Sequence, residues 1–310
     1  MTTDRLPSWR PGEARDSILR FLDEIDDVPL EDRVAYLDND GTMWCEKPQY
    51  VQYDFFVDVL RRRSTEDPSL AQRPEFAAVL DSDATAISEI GLTRIAGALA
   101  ALFDGQRPDE FAAAVDDFVA RYRHPSYDVP ISSLVYQPML ELIEELRAHD
   151  VTVGIVTGGG TEFVRRVSSR LYGVPPELVV GTIIGYEFAR DDEGRPALRR
   201  TVSLMGTANE GPAKIANIQA QNGRAPLIAV GNSGGDREML EWAQSSPHGG
   251  LAVLIDHDDA SREYAYQSTA ATFHDTEPIT AVADRLGWIT VSMARDWEHV
   301  FSVEDRGVFA

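Results

Sequence analysis

Val34-Ala35-Tyr36-Leu37-Asp38-Asn39-Asp40-Gly41-Thr42-Met43-Trp44 decides how the rest of the chain is read. An apolar run of strand length stops at two carboxylates one residue apart, followed by a glycine and a threonine. The run has no polar alternation, as expected of a strand covered on both faces in a parallel sheet. Gly41 permits a tight turn out of such a strand. Chemistry in open α/β sheets gathers at the carboxyl ends of the strands, where Asp38 and Asp40 fall. Two readings stand at this point. In one, both carboxylates are solvated residues that start a turn. In the other, one is a nucleophile able to form an acyl phosphate and its neighbour shuttles a proton. Close carboxylates repel unless a cation or a proton lies between them, so the second reading requires a metal and further ligands elsewhere.

Outward from this stretch, Gly12 to Asp27 reads as an amphipathic helix through Ile18, Leu19, Phe21, Leu22 and Ile25. From Gln49 to about Tyr127 the pattern is helical, with Tyr53–Leu60, Pro74–Leu80, Ala84–Leu102 and Asp109–Tyr122 as helices. Asp67-Pro68, Arg73-Pro74, Asp104-Gly105 and Arg107-Pro108 punctuate them. Such a stretch exceeds any ordinary crossover between strands and reads as an inserted helical cap. Beyond it, strands and helices alternate: Gln137–His149, Val151–Val156, Leu178–Ile184, Glu210–Gln221, Leu227–Val230 and Leu251–Ile255. A hairpin over 186–190 and 197–202 is closed by Asp191-Asp192-Glu193-Gly194. The expectation is an α/β fold with a doubly wound parallel sheet and an all-helical cap. Residues 1–48 and 128–310 would form the core and residues 49–127 the cap.

Composition narrows the class. The 310 residues allow a full core and a second lobe. With 51 acids against 29 bases the net charge is −22, which argues against nucleic acid or an anionic membrane as partner. An anionic small substrate would then need a strong local positive centre. The single cysteine, Cys45, excludes an intrachain disulfide and fits a reducing compartment, with a small buried role for the residue itself. Met1 to Arg20 carries no apolar segment of signal type, and no run has the ~18 apolar residues of a membrane span, so a cytoplasmic location is expected. Of the 29 bases only Lys47 and Lys214 are lysines. In a chain that otherwise uses arginine, a lysine suits a position needing a compact point charge.

Three later segments supply what the opening carboxylates need. Thr157-Gly158-Gly159-Gly160 ends a strand, and a hydroxyl with bare amides there suits a phosphoryl oxygen. Lys214, at a helix start, can neutralise a phosphate and a nucleophile. Gly231-Asn232-Ser233-Gly234-Gly235-Asp236 follows a buried strand and offers oxygen ligands at Asn232 and Asp236. Mg²⁺ keeps several waters, so two or three protein ligands suffice. Each segment alone is also an ordinary turn or helix start; the order of all four is the specific signal.

In these four segments the chain resembles the haloacid dehalogenase (HAD) superfamily, in particular its phosphoserine-phosphatase-like branch. The resemblance covers about residues 33–48 and 130–256, the cap matching by position alone. It implies Asp38 as nucleophile, Asp40 as acid/base, and Thr157, Gly158 and Lys214 around the phosphoryl group. It further implies Mg²⁺ held by Asp38, the Asp40 carbonyl and Asn232, with Asp236 supporting the metal set. Position 232 is usually Asp in the superfamily, so Asn232 lowers the negative charge of the metal site. Gly-Asn-Ser there and the tail Gly287-Trp288 … Arg295-Asp296-Trp297 resemble one subgroup. An acid at position 40 separates phosphatases from the dehalogenases, which lack it, and from ATPase pumps, which carry Thr. Phosphonate cleavage, which uses a cap lysine, is disfavoured because residues 49–130 contain none.

The resemblance therefore implies a phosphomonoesterase acting on a small phosphorylated metabolite. The reaction asks for roughly 20 kcal/mol or more of barrier lowering, shared between positioning, metal, Lys214 and amide donors. Trp44, Glu46 and Lys47 lead into the cap, where a leaving group would sit. A Glu near this distance binds the substrate amine in phosphoserine phosphatases, so Glu46 suggests an amino-bearing substrate; an exposed Glu46–Lys47 pair of little consequence is the other reading. Two further functions stay open: a non-hydrolytic binding protein whose metal site Asn232 has compromised, and a nucleotide-binding oxidoreductase. The second lacks Gly-x-Gly-x-x-Gly after a strand.

Overall fold

All five residues of the strand Val34–Asp38 are buried, Asp38 included. A computed structural model of the chain, which describes residues 5–267 and 277–302, gives the reason. The described strands are β1 (Val34–Asp38), β2 (Thr152–Gly160), β3 (Val179–Thr182), β4 (Ile184–Arg190), β5 (Pro196–Leu204), β6 (Ile228–Gly231), β7 (Leu251–Asp256) and β8 (Ile289–Ser292). Six form one parallel sheet in the order β3-β2-β1-β6-β7-β8, so β1 is central and paired on both sides. The helices are α1 (Glu13–Asp23), α2 (Val51–Glu66), α3 (Pro74–Leu80), α4 (Ala84–Ile90), α5 (Leu92–Ala100), α6 (Pro108–Arg121), α7 (Gln137–Ala148), α8 (Thr161–Tyr172), α9 (Pro212–Gln221), α10 (Arg237–Gln244), α11 (Ile279–Leu286) and α12 (Met293–Asp296). The sheet and its flanking helices are the expected doubly wound α/β architecture.

The register places the chemistry. Asp38 pairs with Val156 and Leu37 with Val230, so Thr157 and Asn232 lie at the edge where Asp38 stands. Gly231 pairs with Leu254, which brings the residues after β7 to the same edge. Beneath it, Tyr36, Val156, Val180, Ile218, Ala229 and Leu254 belong to one buried apolar cluster. β2 runs beyond the expected Val156 to Gly160, across an irregularity in its pairing with β3. Bare glycines make this possible, since a Cβ at Gly181 would press on the Thr157 methyl. Leu178–Ile184 is not one strand: β3 ends at Thr182, and β4 begins the antiparallel hairpin. β8 was not expected from the sequence.

The chain divides into two compact units, the first comprising Met1–Lys47, Arg123–Thr182 and Thr207–Ala310, the second Pro48–Tyr122 and Ile183–Gly206. The second unit holds α2 to α6 around Phe55, whose ring lies 5.3, 5.7 and 5.5 Å from those of Phe103, Phe111 and Phe118. The β4–β5 hairpin, assigned to the core from the sequence, packs on these helices instead. Arg200 bonds through its amide and carbonyl to Gln106 and Gly105 at 2.8 and 2.9 Å, and its guanidinium lies 4.1 Å from the Phe111 ring centre. The second unit is therefore helical with a two-stranded addition. The helix expected over Ala84–Leu102 breaks at Gly91, whose φ of 90° no helix accepts. No single helix among the described residues is long and apolar enough to cross a membrane.

Candidate active site

Lys214 is the hub. It sits in the first turn of α9, 2% exposed, and its Nζ lies 2.6 Å from Asp38 Oδ1 and 2.5 Å from Asp236 Oδ1. The start of α9 is tied to the Asn232–Asp236 loop by Gly211 N–H donating to Gly235 O at 2.9 Å. Burial works against the ammonium, but the charges of Asp236 and Asp38 outweigh it and hold its pKa above the usual lysine value. Burial pushes the Asp38 carboxyl up, and the charge of Asp236 adds to this while Lys214 opposes it. Asp236 is saturated on its other oxygen: Asn232 N–H, Ser233 N–H and Ser233 Oγ donate to Oδ2 at 3.0, 2.9 and 3.0 Å. It organises the loop and anchors Lys214.

Asp40 is held from three directions. Trp44 Nε1 donates to Oδ1 at 2.8 Å, while Asn39 Nδ2 and Thr157 Oγ1 donate to Oδ2 at 3.3 and 3.4 Å. Burial raises its pKa in spite of these bonds, which suits a group that must deliver a proton. Thr157 Oγ1 also accepts from Gly159 N–H at 3.0 Å, and Asn209 Nδ2 donates to the Thr157 carbonyl at 2.8 Å. Gly158 lies under the Glu210 carboxylate, which a Cβ there would overlap. Asp38, Asp40, Thr157, Gly158, Lys214, Asn232 and Asp236 thus lie together at one sheet edge.

Trp44 and Glu46 are placed differently from the expectation that they face a leaving group. Trp44 is 1% exposed, its ring edge-on to Tyr172 at 6.1 Å, and its polar atom serves Asp40. Its neighbours fix it because it forms short bridges with both Asp40 and Val135. Glu46 is buried, and its carboxylate lies 3.6 Å from Lys47 Nζ. Burial pushes its carboxyl up. Cys45 is buried, and burial raises its thiol far from the thiolate range.

Whether these residues suit Mg²⁺ turns on donor chemistry. Lys214 pairs with Asp38 and Asp236, and Asp40 stands beside them, so carboxyl groups outnumber ammonium groups three to one in the cluster. Asp38, the Asp40 carbonyl and the Asn232 amide are hard oxygen donors of the kind Mg²⁺ takes. Among the described residues no group of three or more His, Cys, Asp or Glu side chains is arranged for a metal. A cation here would rely on mixed carboxylate, carbonyl and amide oxygens, and the set fits.

The sequence reading missed several residues at this edge. Glu210 is one, its carboxyl pushed up by burial; a Glu just before a helix carries no distinguishing signal. Tyr172 OH donates to Asn39 Oδ1 at 3.1 Å. His257 and Glu263, both buried, follow β7. Topology offered a signal for these two, since parallel strands next to β6 end at the same edge.

The family model described as haloacid dehalogenase-like hydrolase matches residues 35–241. No curated protein matches the chain. Among solved structures, a protein of unknown function from Bordetella pertussis Tohama I is similar at 16% identity and TM-score 0.54, over 84% of this chain and 97% of that one. A functionally unknown protein from Anaerococcus prevotii is similar at 13% identity and TM-score 0.54, over 83% and 89%. A probable phosphoserine phosphatase from Vibrio cholerae aligns at 15% identity and TM-score 0.43, over 84% and 69%. The two structures at TM-score 0.54 agree with the fold. The family match reaches from β1 past Asp236 and takes in all four candidate segments, so this chain belongs to the haloacid dehalogenase-like hydrolases.

Proposed function

We propose that the chain is a Mg²⁺-dependent phosphomonoesterase that acts on a small phosphorylated metabolite through an aspartyl-phosphate. The observation that carries the reading is the Asp38–Lys214–Asp236 arrangement with Asp40 two residues on, its carboxyl raised by burial. Lys214 engages Asp38 Oδ1, which leaves Oδ2 to attack phosphorus while the ester P–O bond breaks. Asp40 gives its proton to the departing alkoxide. It then takes a proton from water as the water oxygen attacks phosphorus, and the bond to Asp38 breaks to release phosphate. Lys214 and the amides after Thr157 balance the charge of the phosphoryl oxygens. Mg²⁺, held by Asp38, the Asp40 carbonyl and Asn232, would supply further charge stabilisation when bound.

Asp40 is what favours turnover to free phosphate over a stable phosphoenzyme. Glu46 is the residue through which an amino-bearing, phosphoserine-like substrate would be recognised, and to do so it must exchange its ion pair with Lys47 for one with the amine. Asn232 favours a second reading, a non-hydrolytic ligand-binding protein with a weakened metal site. Phosphate release from p-nitrophenyl phosphate and a metabolite panel, with and without Mg²⁺, separates the two. Hydrolysis that requires Mg²⁺ and disappears in D38N is expected. Unchanged hydrolysis in D38N would end the proposal, and ligand-induced stabilisation without turnover would favour the binding protein.

A further inference from the structure

The deepest polar pair near the site is used by none of the steps above. His257 follows β7, and its side chain and that of Glu263 are both fully buried. Nδ1 lies 3.2 Å from Glu263 Oε2, and Nε2 lies 2.7 Å from the Gly41 carbonyl oxygen. Each ring nitrogen therefore faces one fixed oxygen acceptor. Glu263 is itself fixed: Tyr136 OH donates to Oε1 at 3.1 Å and Tyr264 N–H to Oε2 at 2.7 Å. The Tyr266 ring stacks on His257 with centroids 4.4 Å apart and planes 26° apart. The imidazole therefore has one orientation.

Gly41 is the residue this orientation serves. Its φ is 76°, and its N–H donates to Trp44 O at 2.9 Å. That N–H belongs to the same planar peptide as the Asp40 carbonyl, which therefore points the opposite way. The next carbonyl, that of Gly41, is gripped by His257. Rotation about the Gly41 bonds, which would re-aim the Asp40 carbonyl, must break one anchor or the other. His257 Nε2 also lies 3.4 Å from the side-chain amide of Asn232, and that amide fills the space a Cβ on Gly41 would need.

We infer that His257 and Glu263 form a buried clamp that fixes the Asp40–Gly41 turn against Asn232, and so positions two of the three proposed metal-binding groups. Both are positioning residues. The inference rests on the metal-dependent reading above. Outer partners that orient metal-binding groups typically change metal affinity by about 10–100-fold when removed. A neutral Asn232 gives the site less charge to hold a cation, so fixed geometry must supply more of the affinity.

The test is Mg²⁺ titration by calorimetry on the full chain, comparing wild type with H257F, H257Q and E263Q. Thermal unfolding and p-nitrophenyl phosphate kinetics at saturating Mg²⁺ accompany it. H257F keeps a flat ring against Tyr266 but donates nothing, and Mg²⁺ affinity should fall about 10–100-fold, with the substrate KM unchanged. H257Q, which restores one donor toward Gly41, should recover part of the loss. E263Q retains an acceptor for Tyr136 but not the charge, and should weaken Mg²⁺ less than H257F. Folded H257F that binds Mg²⁺ like wild type overturns the clamp alone; should H257F not fold, unchanged affinity in E263Q and H257Q overturns it equally. Wild-type protein that binds no Mg²⁺ overturns both the clamp and the metal-dependent reading.

Discussion

Replacing Trp44 by Phe isolates one hydrogen bond at the proposed acid/base residue, Asp40. The indole N–H lies 2.8 Å from Asp40 Oδ1, in a ring that is almost wholly buried. A hydrogen bond to a charged acceptor contributes about 1.5–3 kcal/mol. It favours the ionised carboxylate, so its loss raises the Asp40 pKa further. In the proposed mechanism Asp40 acts first as an acid and then as a base. W44F should therefore shift the acidic limb of the kcat profile to higher pH. Below that limb, hydrolysis of the phosphoenzyme becomes slower and the intermediate accumulates. The phenyl ring retains most of the packing against Tyr172, and the fold should lose only about 1–3 kcal/mol. The assay is steady-state phosphate release between pH 5 and 9, with acid-quench trapping of the phosphoenzyme. A W44F profile that superimposes on wild type would refute the argument that Trp44 sets the protonation of Asp40.

Three further outcomes follow from the same geometry. K214M leaves Asp38 and Asp236 buried without their ammonium and should cost about 3–5 kcal/mol at neutral pH by chemical denaturation. Losing the cation raises the Asp38 pKa still further above its unfolded value, so the deficit should shrink as pH falls through that raised pKa, which denaturation at pH 5 and 7.5 would reveal. G41A places a side chain at a φ of 76° and against Asn232, so both thermal stability and Mg²⁺ affinity should fall together. D83A removes the side chain that caps α4 through Thr85 N–H and Ala86 N–H, each at 3.0 Å, and should cost about 1 kcal/mol of stability while leaving kcat unchanged.

Much of the sheet was legible because parallel strands buried on both faces must be apolar throughout, and Val34–Leu37, Val153–Val156 and Ile228–Val230 are. β8 was not legible: it is a short edge strand, half of whose residues are only partly buried. The hairpin's strands could be read from their turn, but not the unit they join. That choice rests on Arg200 meeting Gln106, Gly105 and Phe111, residues almost a hundred positions away.

At the site, residue type and order by themselves determined Asp38, Asp40, Thr157, Lys214 and Asn232 as candidates, because carboxylates, hydroxyls and a rare lysine at strand and helix ends have few other uses together. Only the tertiary structure decided what each touches. Local sequence says nothing of a side chain's direction across the sheet, so Trp44 read as a substrate-facing residue and is instead a buried donor to Asp40. His257 and Glu263 lie more than two hundred residues from Gly41, and the register of β6 on β7 alone brings them to its carbonyl. Periodicity and motif spacing are local properties of a chain, whereas a hydrogen bond depends on where two distant segments end.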